Sequence, residues 1–207
     1  MEHFSIDLET LGTRYNAPVI SIGVQQFDPA SGRMGGTFYR EIDLDSAIRA
    51  GKVSGSTLAW WMTQSDAARQ LFVDKPDKVP LATALDMLAT WMRGMAPVPK
   101  VWGNGATFDI TLLEHAYDTG CVGLREPWHF RNVRDMRTIV EAADLRQWPE
   151  RGKGVHHHAL NDATYQAQVI SAAWQKCRGI VVPPGGKAKA TPTPKRELLQ
   201  ANTDDDL

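Results

Sequence analysis

The run Phe4-Ser5-Ile6-Asp7-Leu8-Glu9-Thr10 alternates apolar and polar residues with the two-residue period of an extended chain, and this constrains the fold more than any other feature. In a strand, Ile6 and Leu8 point to one side while Asp7 and Glu9 point to the other. Two carboxylates this close on a buried strand lose hydration and repel each other, an arrangement tolerable mainly when a bound cation neutralises them. The run therefore predicts a strand with one apolar face and one acidic face.

Two further strand-like runs follow, at about 18–27 and 36–43, and Asp28-Pro29-Ala30-Ser31-Gly32 supplies turn chemistry for a hairpin. A short helix is expected over 43–50. The stretch 56–72 is mostly helical, with a cap signal at Ser65-Asp66. Leu81, Leu85, Leu88, Trp91 and Met92 recur at helical spacing until Pro97 and Pro99 stop the pattern. Lys100 to Gly103 then forms a strand and Asn104-Gly105 a turn, and Thr107 to Tyr117 forms a helix with Asp109 in its first turn. Asn132-Val133-Arg134 predicts a last short strand before a helix capped by Asp135 and reaching about Ala143. Residues 145–154 have loop composition, and 160–174 form an amphipathic helix. Strands first, then alternation of helix and strand, define an α/β fold with a mixed sheet: an antiparallel hairpin extended by parallel strands.

The chain has 207 residues, 43% of them hydrophobic, enough for one ordinary core. That domain is expected over 1–182. Residues 183–207 are rich in Pro, Gly, Lys and Thr and contain Asp204-Asp205-Asp206, a composition that cannot bury a core and predicts a disordered tail. Basic and acidic residues number 23 and 24, for a net charge of -1, so any polyanion site must be local or assisted by metal. With no leader-like start and no apolar run near the ~18 residues of a membrane span, a cytoplasmic location and no membrane contact are expected. Cys121 and Cys177 lack metal-binding spacing, which argues against a disulfide framework or thiolate zinc.

Asp109 and Asp162 join Asp7 and Glu9 near strand ends or helix starts, where open α/β sheets place their sites. Oxygen ligands of this kind suit Mg²⁺ or Mn²⁺. Taken singly, Asp109, Asp135 and Asp162 could simply favour helix N-termini, but Asp7 and Glu9 lie on a strand where that role is absent. His156, His157 and His158 are consecutive, so their side chains diverge and do not converge on one ion. A loop histidine is well suited to act as a general base near neutral pH, and this chemistry leaves all three open.

Asp7-x-Glu9, Gly105-Ala106-Thr107-Phe108-Asp109 and His157-His158-Ala159-Leu160-Asn161-Asp162 resemble the three motifs of the DEDDh 3′–5′ exonuclease superfamily, over roughly residues 4–175. The spacing His-x4-Asp selects His157. Asp7-Leu8-Glu9-Thr10-Leu11-Gly12-Thr13, Trp60-Trp61 and Trp102-Gly103-Asn104-Gly105 look most like the branch of Rv2179c-type exoribonucleases and phage exonucleases. The resemblance implies a ribonuclease-H-like mixed sheet with helices on both faces. It also implies two divalent ions, Mg²⁺ or Mn²⁺. Asp7 would bridge them, Glu9 and Asp162 would complete the first, Asp109 would support the second, and His157 would deprotonate the attacking water. Two such cations, about 3.5–4 Å apart, stabilise the entering and departing oxygens of an in-line displacement.

The same resemblance places Thr10, Leu11 and Phe108 beside the terminal base and sugar, with Asn104 a further candidate substrate contact. Ile110 follows Asp109, where the resemblance leads one to expect a polar residue. Trp148 is either a stacking platform or ordinary packing, and of Trp60 and Trp61 one is expected in the core and the other at a rim. Arg131, Arg134, Arg137, Arg146, Arg151 and Lys153 form either a phosphate path or solvated loop charge. The implied partner is single-stranded nucleic acid, DNA or RNA, with a free 3′ end, and a homodimer is expected. The implied reaction is hydrolysis to nucleoside 5′-monophosphates. Alternatives are a phosphodiesterase on short oligonucleotides or nucleotide-capped ends, and a catalytically silent nucleic-acid-binding module.

Overall fold

The structure is a computed structural model and describes residues 1–120, 123–152 and 157–179. Cys121, Lys153, His156 and the expected tail at 183–207 lie outside the described residues. The first three strands are β1 (His3–Thr10), β2 (Val19–Asp28) and β3 (Arg33–Glu41). At the β2–β3 turn, the Asp28 carbonyl accepts the Gly32 N–H at 2.8 Å, and the Asp28 carboxylate accepts the Ser31 hydroxyl at 2.6 Å. Gly32 adopts φ 72°, a left-handed conformation that suits glycine at this point of the hairpin. Pairing therefore continues close to the turn, and β3 begins three residues earlier than its sequence pattern indicated.

Four helices follow: α1 (Leu44–Arg49), α2 (Gly55–Met62), α3 (Asp66–Arg69) and α4 (Leu81–Met95). The stretch expected as mostly helical over 56–72 is divided, because Ser65 leaves the helical region to cap α3 and a 3-10 turn over Gln70–Phe72 closes it. Next come β4 (Lys100–Gly103), α5 (Ala106–Gly120), β5 (Val133–Asp135), α6 (Met136–Ala142) and α7 (Ala159–Cys177). Asp135 caps α6 through the Thr138 N–H at 2.9 Å and also accepts the Ala106 N–H at 2.7 Å. One carboxylate thus ties the start of α5 to the end of β5.

The five-stranded sheet has the order β3-β2-β1-β4-β5. β1 is antiparallel to β2 and parallel to β4, as the strand-helix pattern anticipates. Phe4, Ile6, Leu8, Ile22 and Val24 pack on one face against Leu85 and Leu88 of α4 and Leu113 of α5. On the opposite face, Phe27 and Trp102 pack against Met136 of α6 and Ala167, Val169 and Ile170 of α7. Helices therefore cover both faces. Burying an apolar side chain contributes roughly 1.5–3 kcal/mol, and the two cores hold the sheet from both sides.

Two features of the sheet position the site. β1 and β4 pair only from His3↔Lys100 to Ser5↔Trp102, so the strands part before Asp7 is reached. Gly23 lies opposite Asp7 on β2, and its missing side chain leaves a notch for the start of α7. A Cβ there would come within 2.1 Å of the Ala159 carbonyl carbon and 2.2 Å of the Leu160 nitrogen. The helix backbone can approach the sheet this closely only over glycine.

Candidate active site

Asp7 and Glu9 project from the α7 side of β1, where the parting of β1 and β4 leaves the Leu8 amide without a strand partner. Asp109, in the first turn of α5, takes that amide as a hydrogen bond and also accepts from the backbone of Asn104. The close approach of α7 at Gly23 brings Asp162 and the preceding His157 over the same edge. Donor atoms of Glu9, His157 and Asp162 lie within 4.8 Å of one another, although their residues come from opposite ends of the domain. Gln166, one turn beyond Asp162 on α7, donates from Nε2 to Asp7 Oδ1 at 2.6 Å and orients that carboxylate.

His157 has φ 61°, a left-handed conformation that costs a residue with a Cβ about 1–3 kcal/mol unless its surroundings hold it. Aromatic contacts contribute here: the Trp60 ring meets the imidazole edge-on at 4.9 Å between centroids, and Trp61 lies at 6.1 Å. Trp61 is core, 1% exposed, and its indole N–H donates to the Thr10 carbonyl at 2.9 Å. Trp60 is 43% exposed and forms a rim. The pair divides between core and rim, as expected for neighbours on a helix.

Two cavities flank the acidic row. One, of about 390 Å³, is largely apolar and is lined by Leu8, Glu9, Thr10, Trp60, Trp61 and Phe108, with Ser56 and Thr57 contributing hydroxyls. The other, of about 250 Å³, is polar and includes Asp7, Asn104, Trp148, Arg151, His157 and Asp162 in its wall. Asp7 is half-buried and lines this cavity.

The electrostatics match this crowding. Burial, then the charges of Asp109 and Glu9, push the Asp7 carboxyl well above the usual carboxylate range, against the opposing effects of Gln166 and Arg151. Burial and Asp109 push Glu9 up to about 8. Asp109 is also raised by burial, which outweighs its backbone hydrogen bonds and Arg137. A site that strains to hold its carboxylates ionised, with oxygen donors converging, fits a hard divalent cation; the absence of thiolate from the cluster disfavours a structural zinc site.

Among the expected substrate contacts, Thr10 and Phe108 line the apolar cavity and Asn104 lines the polar one, its Oδ1 accepting from Arg137 Nε at 3.1 Å. Leu11 differs. Its side chain is 2% exposed within the core, because the irregular pairing at Glu9/Thr10 ends the alternation and turns the chain inward. Ile110 is likewise core, which explains an apolar residue directly after Asp109. Trp148 is 49% exposed at the wall of the polar cavity. The arginines separate: Arg146 pairs with Asp144, Arg134 bonds the carbonyls of Arg131 and Val133, and Arg151 pairs with Asp162. Gln166 is missing from the sequence-derived set. Its position four residues after Asp162, on the same helix face, was the available signal.

A mixed sheet in this order, with acids gathered where β1 and β4 part, defines the ribonuclease-H-like class of 3′–5′ exonucleases. The profile of the Rv2179c-like family, described as a 3′–5′ exoribonuclease Rv2179c-like domain, matches residues 2–174, and the chain belongs to that family. An exodeoxyribonuclease of Enterobacteria phage T4 is 28% identical over 167 residues, 69% of this chain and 72% of the phage protein. The fold is shared with S. pombe Pop2p in its Mg²⁺- and Mn²⁺-bound form, at a TM-score of 0.54 and 12% identity over 88% of this chain and 86% of that one. It is also shared with the nuclease domain of 3′hExo, a DEDDh family member bound to rAMP, at a TM-score of 0.52 and 13% identity over 84% and 91%. By family, the protein is a 3′–5′ exonuclease, a phosphodiester hydrolase. Among the described residues, no helix is long and apolar enough to cross a membrane.

Proposed function

We propose that this exonuclease removes nucleoside 5′-monophosphates one at a time from the free 3′ end of single-stranded nucleic acid, using two divalent ions, Mg²⁺ or Mn²⁺. The observation that carries the reading is the convergence of Glu9, His157 and Asp162 within 4.8 Å, with Asp7 and Asp109 close enough for their charges to act on one another and on Glu9. Asp7, Glu9 and Asp162 would hold one ion, with Asp7 shared and Asp109 supporting the other. When bound, the ions supply charge that stabilises the attacking and departing oxygens of the phosphodiester.

The chain's own residues do the rest. His157 takes the proton of the attacking water, a role suited to an imidazole at the cavity edge. Gln166 fixes the Asp7 carboxylate. The apolar cavity beside Glu9 receives the terminal nucleoside, with Phe108 and Trp60 as aromatic walls and Thr10, Ser56 and Thr57 as polar contacts. Such surfaces accept any base, since stacking contributes about 1–3 kcal/mol without reading sequence. The polar cavity lies on the other side of the acids, with Asn104 and Trp148 in its wall, and accommodates the adjoining phosphate and nucleotide. A soluble cytoplasmic homodimer with an ordered domain over 1–182 completes the reading and is checked by sedimentation of the full chain.

The family description favours RNA, whereas the phage relative is described as acting on DNA. End-labelled single- and double-stranded RNA and DNA of matched sequence, incubated with Mg²⁺ or Mn²⁺, address both the reaction and the sugar. Stepwise shortening of single strands from the 3′ end, abolished by Asp7→Ala, is the expected result. Cleavage confined to dinucleotides or capped ends, or binding without turnover, would overturn it.

A further inference from the structure

Arg151 brings a positive charge into the metal-ligating cluster. Its guanidinium pairs with Asp162 Oδ1, lies 5.0 Å from the centre of the Tyr165 ring, and acts on Asp7. All four residues line the polar cavity. Asp162 is also one of the three groups whose donor atoms converge within 4.8 Å. The carboxylate that a divalent ion would use is therefore already engaged by a cation belonging to the chain.

We infer that Arg151 is the resident counter-ion of the metal-free site, holding Asp162 in place and competing with the divalent ion for that carboxylate. The inference rests on the metal-dependent reading above. Buried acids left without a cation repel one another, and a guanidinium relieves that repulsion while no ion is bound. A divalent ion brings more charge to the same carboxylate, but it must displace the guanidinium or share Asp162 with it at a repulsive cost. Two structural features make displacement feasible. Arg151 lies outside helix and strand, between α6 and α7, so moving it breaks no ladder of backbone bonds. Tyr165, one turn after Asp162, presents a ring face on which the guanidinium can remain when it gives up the carboxylate.

The test is Mn²⁺ binding to the full chain by calorimetry without nucleic acid, comparing wild type with Arg151→Gln and Arg151→Lys, alongside thermal melts in EDTA and in saturating Mn²⁺. Arg151→Gln is expected to bind Mn²⁺ about tenfold more tightly, the equivalent of losing one moderate competing contact. It should melt lower than wild type in EDTA but alongside it with Mn²⁺ bound. Arg151→Lys keeps the charge and should remain near wild type. Equal Mn²⁺ affinity in wild type and Arg151→Gln would overturn the inference while leaving the metal-dependent reading intact. Absence of Mn²⁺ binding in wild type would overturn both.

Discussion

Replacing Gly23 with alanine adds one methyl group at the point where α7 meets the sheet. The new Cβ would lie 2.1 Å from the Ala159 carbonyl carbon and 2.4 Å from its oxygen, while ordinary contact begins near 3.4 Å. The obstruction is backbone, so rotation of a side chain cannot relieve it. The start of α7 must retreat by about 1.3 Å or β2 must bow, and overpacking of this kind costs about 1–3 kcal/mol. His157 and Asp162 flank the displaced residues, whereas Asp7 and Glu9 stay on β1. A misplacement of about 1 Å between reacting groups can lower turnover a hundredfold. Gly23→Ala is therefore expected to fold, to melt several degrees lower, and to lose at least about two orders of magnitude in kcat. Circular dichroism and thermal melts establish folding, and a degradation time course on a labelled single strand measures the rate. A folded variant with a wild-type rate would refute the argument that the glycine notch sets the site.

Glu9 makes metal-free stability depend on pH. Its acid form persists in the folded state up to about 8, against 4.5 in its unperturbed state. As pH rises between those values the unfolded chain releases a proton that the folded chain retains, so stability falls, with a ceiling of about 5 kcal/mol and about 2–3 kcal/mol expected after relaxation. Urea unfolding in EDTA at pH 5 and pH 8 should show this loss, and Glu9→Gln should flatten it; an equal slope in both proteins contradicts the cause assigned. Saturating Mg²⁺ or Mn²⁺ should restore stability at pH 8, read in the same titration. His157→Ala is expected to lower turnover by about two to four orders of magnitude with Mn²⁺ still bound, measured by paired kinetics and calorimetry. Trp60→Ala removes a wall of the apolar cavity and an edge contact to His157, so both KM and kcat should worsen; an unchanged kcat would separate the two roles.

Much of the architecture is legible in the sequence because local signals agree with tertiary demand. The alternation at Phe4–Thr10 survives because both faces of β1 are covered, and Asp135 caps α6 because an aspartate before a helix meets the same need for amide partners in any fold. The acids of the site are legible as well, through their cost: Asp7 and Glu9 on a strand have no cheap structural explanation. The remainder depends on distances between segments. Leu11 follows a contact motif in sequence but turns into the core after irregular pairing, which its own residue type cannot foretell. Gln166 becomes relevant only when α7 crosses Asp7. Gly23 stood in plain view between Ile22 and Val24, but only the helix on top of it explains why it lacks a side chain.

The order in which the chain supplies its acids has a consequence for synthesis. Asp7 and Glu9 emerge first and Asp109 much later, while His157, Asp162 and the orienting Gln166 arrive with the last described helix. A ribosome-bound chain that has exposed everything through α6 already carries all five strands but lacks His157, Asp162 and Gln166. The converging cluster of Glu9, His157 and Asp162 therefore assembles only as the last described helix docks on the sheet.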